Sequence, residues 1–325
     1  LHWAYVLWVH VPIGIATIGL LAVFLHEVPK PRQHSIDYLG SILLMVGVGA
    51  IMTVVVQARR LDRAVTVPLI VVGLVALAWL MVEERRVPEP IIPISLWRNR
   101  AVAIGNVGSL IIGALLMCVV AFVPTDVQAV MARSPTVAGI VVGSLSVLWS
   151  TGSICAGRLM ARTPYRTIGV AGAIMLIGGA VLLVILDTPN QMAGLVTGAL
   201  LVGFGMGFCN LVFLLAVQAS VAWNERGVAT ASVMFNRTLG QAIGAGLGGA
   251  VLNFGIALRA PGANDALDQL LQPDLRAALG TERTAHLVDA VATSVHDVYG
   301  LAVIFALVAL VIALLLPRDL HHAKA

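Results

Sequence analysis

Nine long apolar runs dominate the chain and leave little choice of fold. They lie at roughly 4–25, 38–57, 66–82, 101–123, 137–157, 167–186, 192–217, 228–256 and 298–316. A helix needs roughly 20 apolar residues to cross about 30 Å of hydrocarbon. Short polar turns marked by proline and charge separate the runs, among them EVPKPRQHS, QARRLDRA and DTPNQ. Of 325 residues, 59% are hydrophobic and 11% charged, whereas a soluble domain carries roughly a quarter charged residues. A chain of this kind cannot clothe a water-facing surface, but in lipid it has no need to. There every backbone N–H and C=O must be bonded internally, which leaves helices or a closed barrel. Barrels read as short alternating segments, and these runs are continuous. The expected fold class is an all-α membrane protein, a polytopic helical bundle of about nine transmembrane helices.

The remaining composition excludes several functions. A net charge of +4 is what membrane proteins gather in cytoplasmic loops. No basic helix interleaved with aromatics is present, so no nucleic-acid partner is expected. Cys118, Cys155 and Cys209 stand singly inside apolar runs, so neither a disulfide nor a structural metal is expected. No clustered nucleophile, metal set or phosphate loop points to an enzyme. The first run lacks a basic leader and a small-residue cleavage site, and so reads as a span rather than a signal peptide.

Cationic loops set the expected orientation. One alternating set of loops holds twelve Lys and Arg, from Lys30 and Arg32 to Arg318 and Lys324; the other holds seven, including Arg59, Arg60 and Arg63. The first set is placed in the cytoplasm, which puts the C-terminus inside a plasma (inner) membrane and Leu1 outside. An odd number of further spans is then expected upstream. Residues 258–297 are the one long polar connection. Leu267, Leu270, Leu271 and Leu275, then Leu287, Ala290 and Val291, recur at helical spacing. This spacing predicts amphipathic helices on the outer face, either a packing cap or a lid over a pathway.

Several local patterns resemble a known family. HWAYVLWVHVPIG resembles WRWIFxINxPIG, and DYLGSILLMVGVGA resembles DxxGxxLLxxGL. EERRVPEPIIPISLWRNR, PTDVQAVMARSPTVAG and NERGVATASVMFNRTLGQAIGAGLGG resemble the linker, YLQxxxGxSPxxAG and G-x-A-x…R-x-L-G-G-x-x-G blocks that follow in the same order. The chain is identified by these as similar to the fourteen-span drug:proton antiporters of the major facilitator superfamily. The resemblance makes residues 1–25 the last span of an N-terminal bundle whose first five spans are absent. Residues 26–100 become two additional spans and a cytoplasmic linker, and 101–325 a C-terminal six-helix bundle built from two inverted three-helix repeats. It implies a monomer that exports small hydrophobic or cationic compounds in exchange for protons, with the lipid bilayer, the substrate and protons as its partners and the proton gradient in place of any cofactor. The alternatives are a metabolite or siderophore exporter of the same superfamily and a non-transporting membrane scaffold or receptor. His10 stands where the family has Asn, and Asp126 where it has an aromatic or apolar residue.

Arg237 is the sharpest candidate for the transport pathway. If its helix begins near Gly227, ten residues at about 1.5 Å each put it roughly 15 Å deep. A charge there costs at least about 2.5–3.5 kcal/mol and should face protein or water. It reads either as a pathway charge or as a structural arginine bonded to carbonyls or snorkelling to the surface. Asn236, Gln241 and Asn210 are its candidate companions. Asp126, after Pro124, reads as a solvated loop acid or as a carboxylate in an outer vestibule, with Gln128 nearby as a gate or packing residue. Gly157, Arg158, Arg162 and Arg166 in GRLMARTPYR resemble the family's cytoplasmic gate motif, without its acidic residue. Gly203 and Gly207, and Gly240, Gly244 and Gly248, stand four apart, a spacing that lets helices approach closely. His10, two before Pro12, reads as a buried neutral histidine or a proton-sensitive one. Trp3, Trp97 and Trp223 read as interface anchors.

Overall fold

The computed structural model describes Trp8 and residues 10–24, 37–57, 61–84, 86–87, 94–185, 191–263 and 265–317. Trp3, Lys30, Arg32, Arg59, Arg60, Arg85, Arg318 and Lys324, on which part of the anchoring and orientation readings rests, lie outside these residues. The chain divides into two compact units, Leu1–Ile36 and Asp37–Ala325. The first holds α1 (His10–Phe24), 15 residues with none buried. His10 is therefore exposed there rather than a buried histidine. Thr17 Oγ1 donates back to the Ile13 carbonyl at 2.8 Å, which satisfies the hydroxyl inside its own helix.

The second unit runs α2 (Tyr38–Gln57), α3 (Arg63–Glu83), α4 (Ile94–Trp97), α5 (Arg100–Val120), α6 (Val123–Thr125), a π-helical turn (Asp126–Val130), α7 (Pro135–Met160), α8 (Tyr165–Ile185), α9 (Gln191–Ala219), a 3₁₀ turn (Trp223–Glu225), α10 (Arg226–Arg259), α11 (Ala266–Leu271), α12 (Pro273–Ala278) and α13 (Thr281–Leu315). Among its described residues, eight segments are long and apolar enough to cross a membrane. Each matches a run read from the sequence, because an apolar stretch in lipid has no partner for its backbone except itself.

Caps at the helix ends fix where the spans begin. Asp37 precedes α2, and its Oδ1 accepts the Gly40 N–H at 2.7 Å, satisfying one donor of the first turn. Replacing Asp37 with alanine should cost about 1 kcal/mol. Amide exchange at Gly40 and Ser41 should then accelerate, and unchanged protection at both would contradict the cap. Asn99 does two jobs at the start of α5. Its side-chain oxygen accepts from Ala101 N at 3.0 Å, and its Nδ2 donates to the Ser220 carbonyl at 2.8 Å, tying α5 to the end of α9.

Two pairs of parallel helices form the centre of the bundle, and glycine makes each possible. On α10, a Cβ at Gly240 would run into the Leu110 carbonyl and one at Gly244 into the Ala114 carbonyl, while one at Gly113 of α5 would run into the Arg237 carbonyl. On α9, a Cβ at Gly203 would meet the Leu145 carbonyl and one at Gly207 the Trp149 carbonyl, while Gly152 of α7 answers with the Phe204 carbonyl. Gly248 lies against the Phe122 ring. Lipid gives apolar helices no reason to associate, so this backbone-on-backbone contact and its dispersion attraction carry the packing. Both seams use the same device. α8 and α13 pack against each other and cover the outer sides of α9 and α5.

The connection at 258–297 differs from its expected form. Only α11 and α12 are separate short helices. Residues 281–297 are instead the first half of α13, which continues unbroken to Leu315. Leu287, Ala290, Val291, Ser294, Val295, Val298 and Tyr299 are all buried. Their inward stripe keeps a helical period across the boundary between polar and apolar sequence, so the helix does not stop there.

Candidate functional site

Arg237 is the twelfth residue of α10, which places it about 16 Å along the helix. Its guanidinium Nη1 donates to Asn210 Oδ1 on α9 at 3.2 Å. The side chain is half-buried, its Nε is shielded from solvent without a hydrogen-bond acceptor, and no carboxylate pairs with it among the described residues. The central candidate site is therefore a cation in the middle of the bundle, held by one neutral amide across the α9–α10 seam. One turn further along α10, Gln241 is also half-buried. Toward the α10 N-terminus, Gln218 Nε2 donates to Thr230 Oγ1 at 2.9 Å and bridges the same two helices.

The other candidates fall in different places. Asn236 is buried, but its amide donates to Ser232 O at 2.9 Å within α10 and does not bond Arg237. Asp126 and Gln128 belong to a second site. The Arg237 carbonyl lies against the Cβ position of Gly113, and thirteen residues separate Gly113 from Asp126, about 20 Å at helical rise. The reading of Asp126 as a solvated loop acid is corrected: it is 2% exposed, and its Oδ2 accepts the Tyr299 hydroxyl at 3.2 Å. The π-helical turn causes this, because a wider turn rotates the side chain inward where an α-helical one would continue along the surface. Gln128 Nε2 donates to the Pro124 carbonyl at 3.3 Å, closing the same turn. Gly157, Arg158 and Arg162 are exposed at the α7–α8 connection, and Arg166 is half-buried. None of these three arginines makes a side-chain hydrogen bond or ion pair among the described residues. Trp223 is 82% exposed, with the Arg226 guanidinium 4.9 Å from its ring centre.

Sequence reasoning missed Asn106 and Ser109. Both are fully buried on α5, and their side-chain polar atoms have no protein partner among the described residues. Asn106 stands one helical turn before Leu110, whose carbonyl faces Gly240 of α10. Their signal was visible as two polar residues inside the run AVAIGNVGSLIIG. Tyr299, Arg276 and Arg259 were missed as well, and only their partners reveal them.

Long apolar helices sealed on glycine, with polar side chains between them, define a polytopic membrane protein. Residues 1–245 match the Major Facilitator Superfamily, and the chain belongs to that family. It is 24% identical over 360 residues to the multidrug transporter protein MdtP of Bacillus subtilis (strain 168), covering 100% of this chain and 66% of that protein. It is 28% identical over 256 residues to the MFS-type efflux pump MMF1 of Pseudozyma antarctica (strain T-34), covering 74% of this chain and 47% of the pump. The chain thus spans between about half and two thirds of these relatives' length. In fold it resembles a bacterial homologue of the human lysosomal transporter Spinster, solved in an inward-facing, unoccupied conformation. The TM-score is 0.54 at 14% identity, over 85% of this chain and 63% of that one. These relatives are named as transporters and efflux pumps, not as enzymes.

Proposed function

We propose that this chain is part of a proton-driven exporter of small, largely apolar compounds, working by alternating access as the fourteen-span drug:proton antiporters do. The observation that carries this reading is the half-buried Arg237, held by Asn210 in the middle of the bundle. A charge at that depth persists where it serves a pathway. The seams at Gly240–Gly244 and Gly203–Gly207 make each half of the bundle rigid, so that bundles rock as units around the central layer. Arg158, Arg162 and Arg166 form the cytoplasmic gate, pairing with neighbouring helix ends in one state and releasing them in the other. The working protein is a monomer in the plasma membrane with its C-terminus in the cytosol, and the proton gradient is its only energy source.

A second reading has an observation of its own. Arg237 lacks a carboxylate partner among the described residues, which favours cargo with an acidic group, such as a metabolite or siderophore, over a cationic drug. Efflux from cells expressing the full reading frame, with one cationic and one carboxylate dye, decides between them. A protonophore should abolish efflux of whichever dye is exported. Efflux that persists after the gradient collapses would sink proton antiport, and retention of both dyes would leave a non-transporting role.

A further inference from the structure

We propose that Asp126 and Tyr299 form a proton-binding site at the α11–α12 end of the bundle, some distance from the central arginine. Asp126 sits in the π-helical turn, where its own carbonyl accepts the Met131 N–H at 3.0 Å. Its carboxyl points into the core, where Val123, Val127, Val295, Val298 and Tyr299 are all at most 1% exposed. The contact to Tyr299 spans 173 residues of sequence and ties the end of α5 to α13.

The chemistry of the pair suits it to both protonation states. A phenol hydroxyl donates and accepts. When the carboxyl is ionised, Tyr299 O–H donates to Oδ2. When the carboxyl is protonated, its own O–H can donate to the phenol oxygen instead. The step is a single proton transfer: one carboxylate oxygen gains H⁺, the phenol changes from donor to acceptor, and the cross-helix bond survives. A dry site makes the charge on such an acid depend strongly on its surroundings.

Other titratable groups nearby on α13 are partly exposed. Arg259 and Asp297 form an ion pair at 2.8 Å with both side chains partly exposed. His296, next in sequence to Asp297, is half-buried, and its ring lies edge-on to Tyr299 at 6.2 Å between centres. Tyr299 and Asp126 are buried. The charged groups on the other elements packed against the π-helical turn are few. Arg276 of α12 donates to the Ala129 carbonyl at 2.9 Å and to Leu270 O at 3.4 Å, clamping α11 and α12 over the turn. Asp268 of α11 and Arg133, just before α7, are exposed. α6 has no charged residue, and α7 has only Arg158, at its far end. Among the described residues between Arg100 and Arg259, Asp126 is the one carboxyl apart from Glu225 at the α9–α10 connection.

This inference extends the proton-driven reading by naming a site, yet its test needs no transport. Infrared difference spectra of the full-length protein in lipid, taken between acid and alkaline buffer, should contain the C=O stretch of a buried carboxylic acid. Asp126→Asn should remove that band while keeping the packing. Tyr299→Phe should keep the band and displace its titration midpoint by roughly one pH unit, the size of one lost hydrogen bond. Superimposable wild-type and Asp126→Asn spectra would overturn the proposal. Should Asp126→Asn fail to fold, an unmoved midpoint in Tyr299→Phe would overturn it equally. Efflux that ignores the proton gradient while the Asp126 band still titrates would sink the antiport reading and leave this site standing.

Discussion

Gly240→Val is expected to destabilise the bundle by about 3 kcal/mol, the upper part of the range for overpacked cores. The Cβ of any residue there would overlap the Leu110 carbonyl, and that atom belongs to backbone that cannot rotate away. α10 would have to separate from α5, taking Arg237 out of register with Asn210 one seam over. Gly244→Val should behave alike against Ala114. Gly249, on the same helix, has nothing within 4 Å of the Cβ position, so Gly249→Ala should stay within about 0.5 kcal/mol of wild type. Unfolding of the purified protein by a denaturing detergent would show both effects. Equal stability for the Gly240 and Gly249 variants would mean that the close seam does not exist.

Arg237→Ala should lower efflux by about 10- to 100-fold, which corresponds to the roughly 1.5–3 kcal/mol carried by a hydrogen bond to a charged group. Arg237→Lys keeps the charge but loses the planar fork and its fixed reach, so it should fall between the two. Asn210→Ala removes the acceptor that the guanidinium has among the described residues and should reduce efflux in the same direction. The assay is dye efflux from cells with expression levels matched by blotting. Wild-type efflux in Arg237→Ala would remove this residue from the pathway.

The spans were legible because lipid allows an apolar run almost nothing but a helix, and the place of Arg237 along its helix followed from counting residues. The close-packing role of Gly240 and Gly244 was legible too, since small residues four apart share a face. The partners were not. Asp126 read as a loop acid because proline and a polar turn usually mark an exposed end, and nothing local announced the π-helical turn that buries it. Tyr299 lies far along the chain in an otherwise unremarked stretch. Asn236 sits beside Arg237 in sequence, but a helix turns adjacent residues onto different faces, and Asn236 bonds Ser232 in its own helix. The break expected before residue 298 was absent because hydropathy changed there while the inward stripe did not.

The sequence by itself determined that the chain crosses a membrane as helices, which segments cross, and which residues would be costly at mid-depth. Those properties depend on each segment and its solvent alone. The tertiary structure decided which helices lie backbone to backbone, that Asn210 answers Arg237, and that Asp126 is buried against Tyr299. Those outcomes depend on distances between residues far apart in the chain, and only the packed bundle sets them.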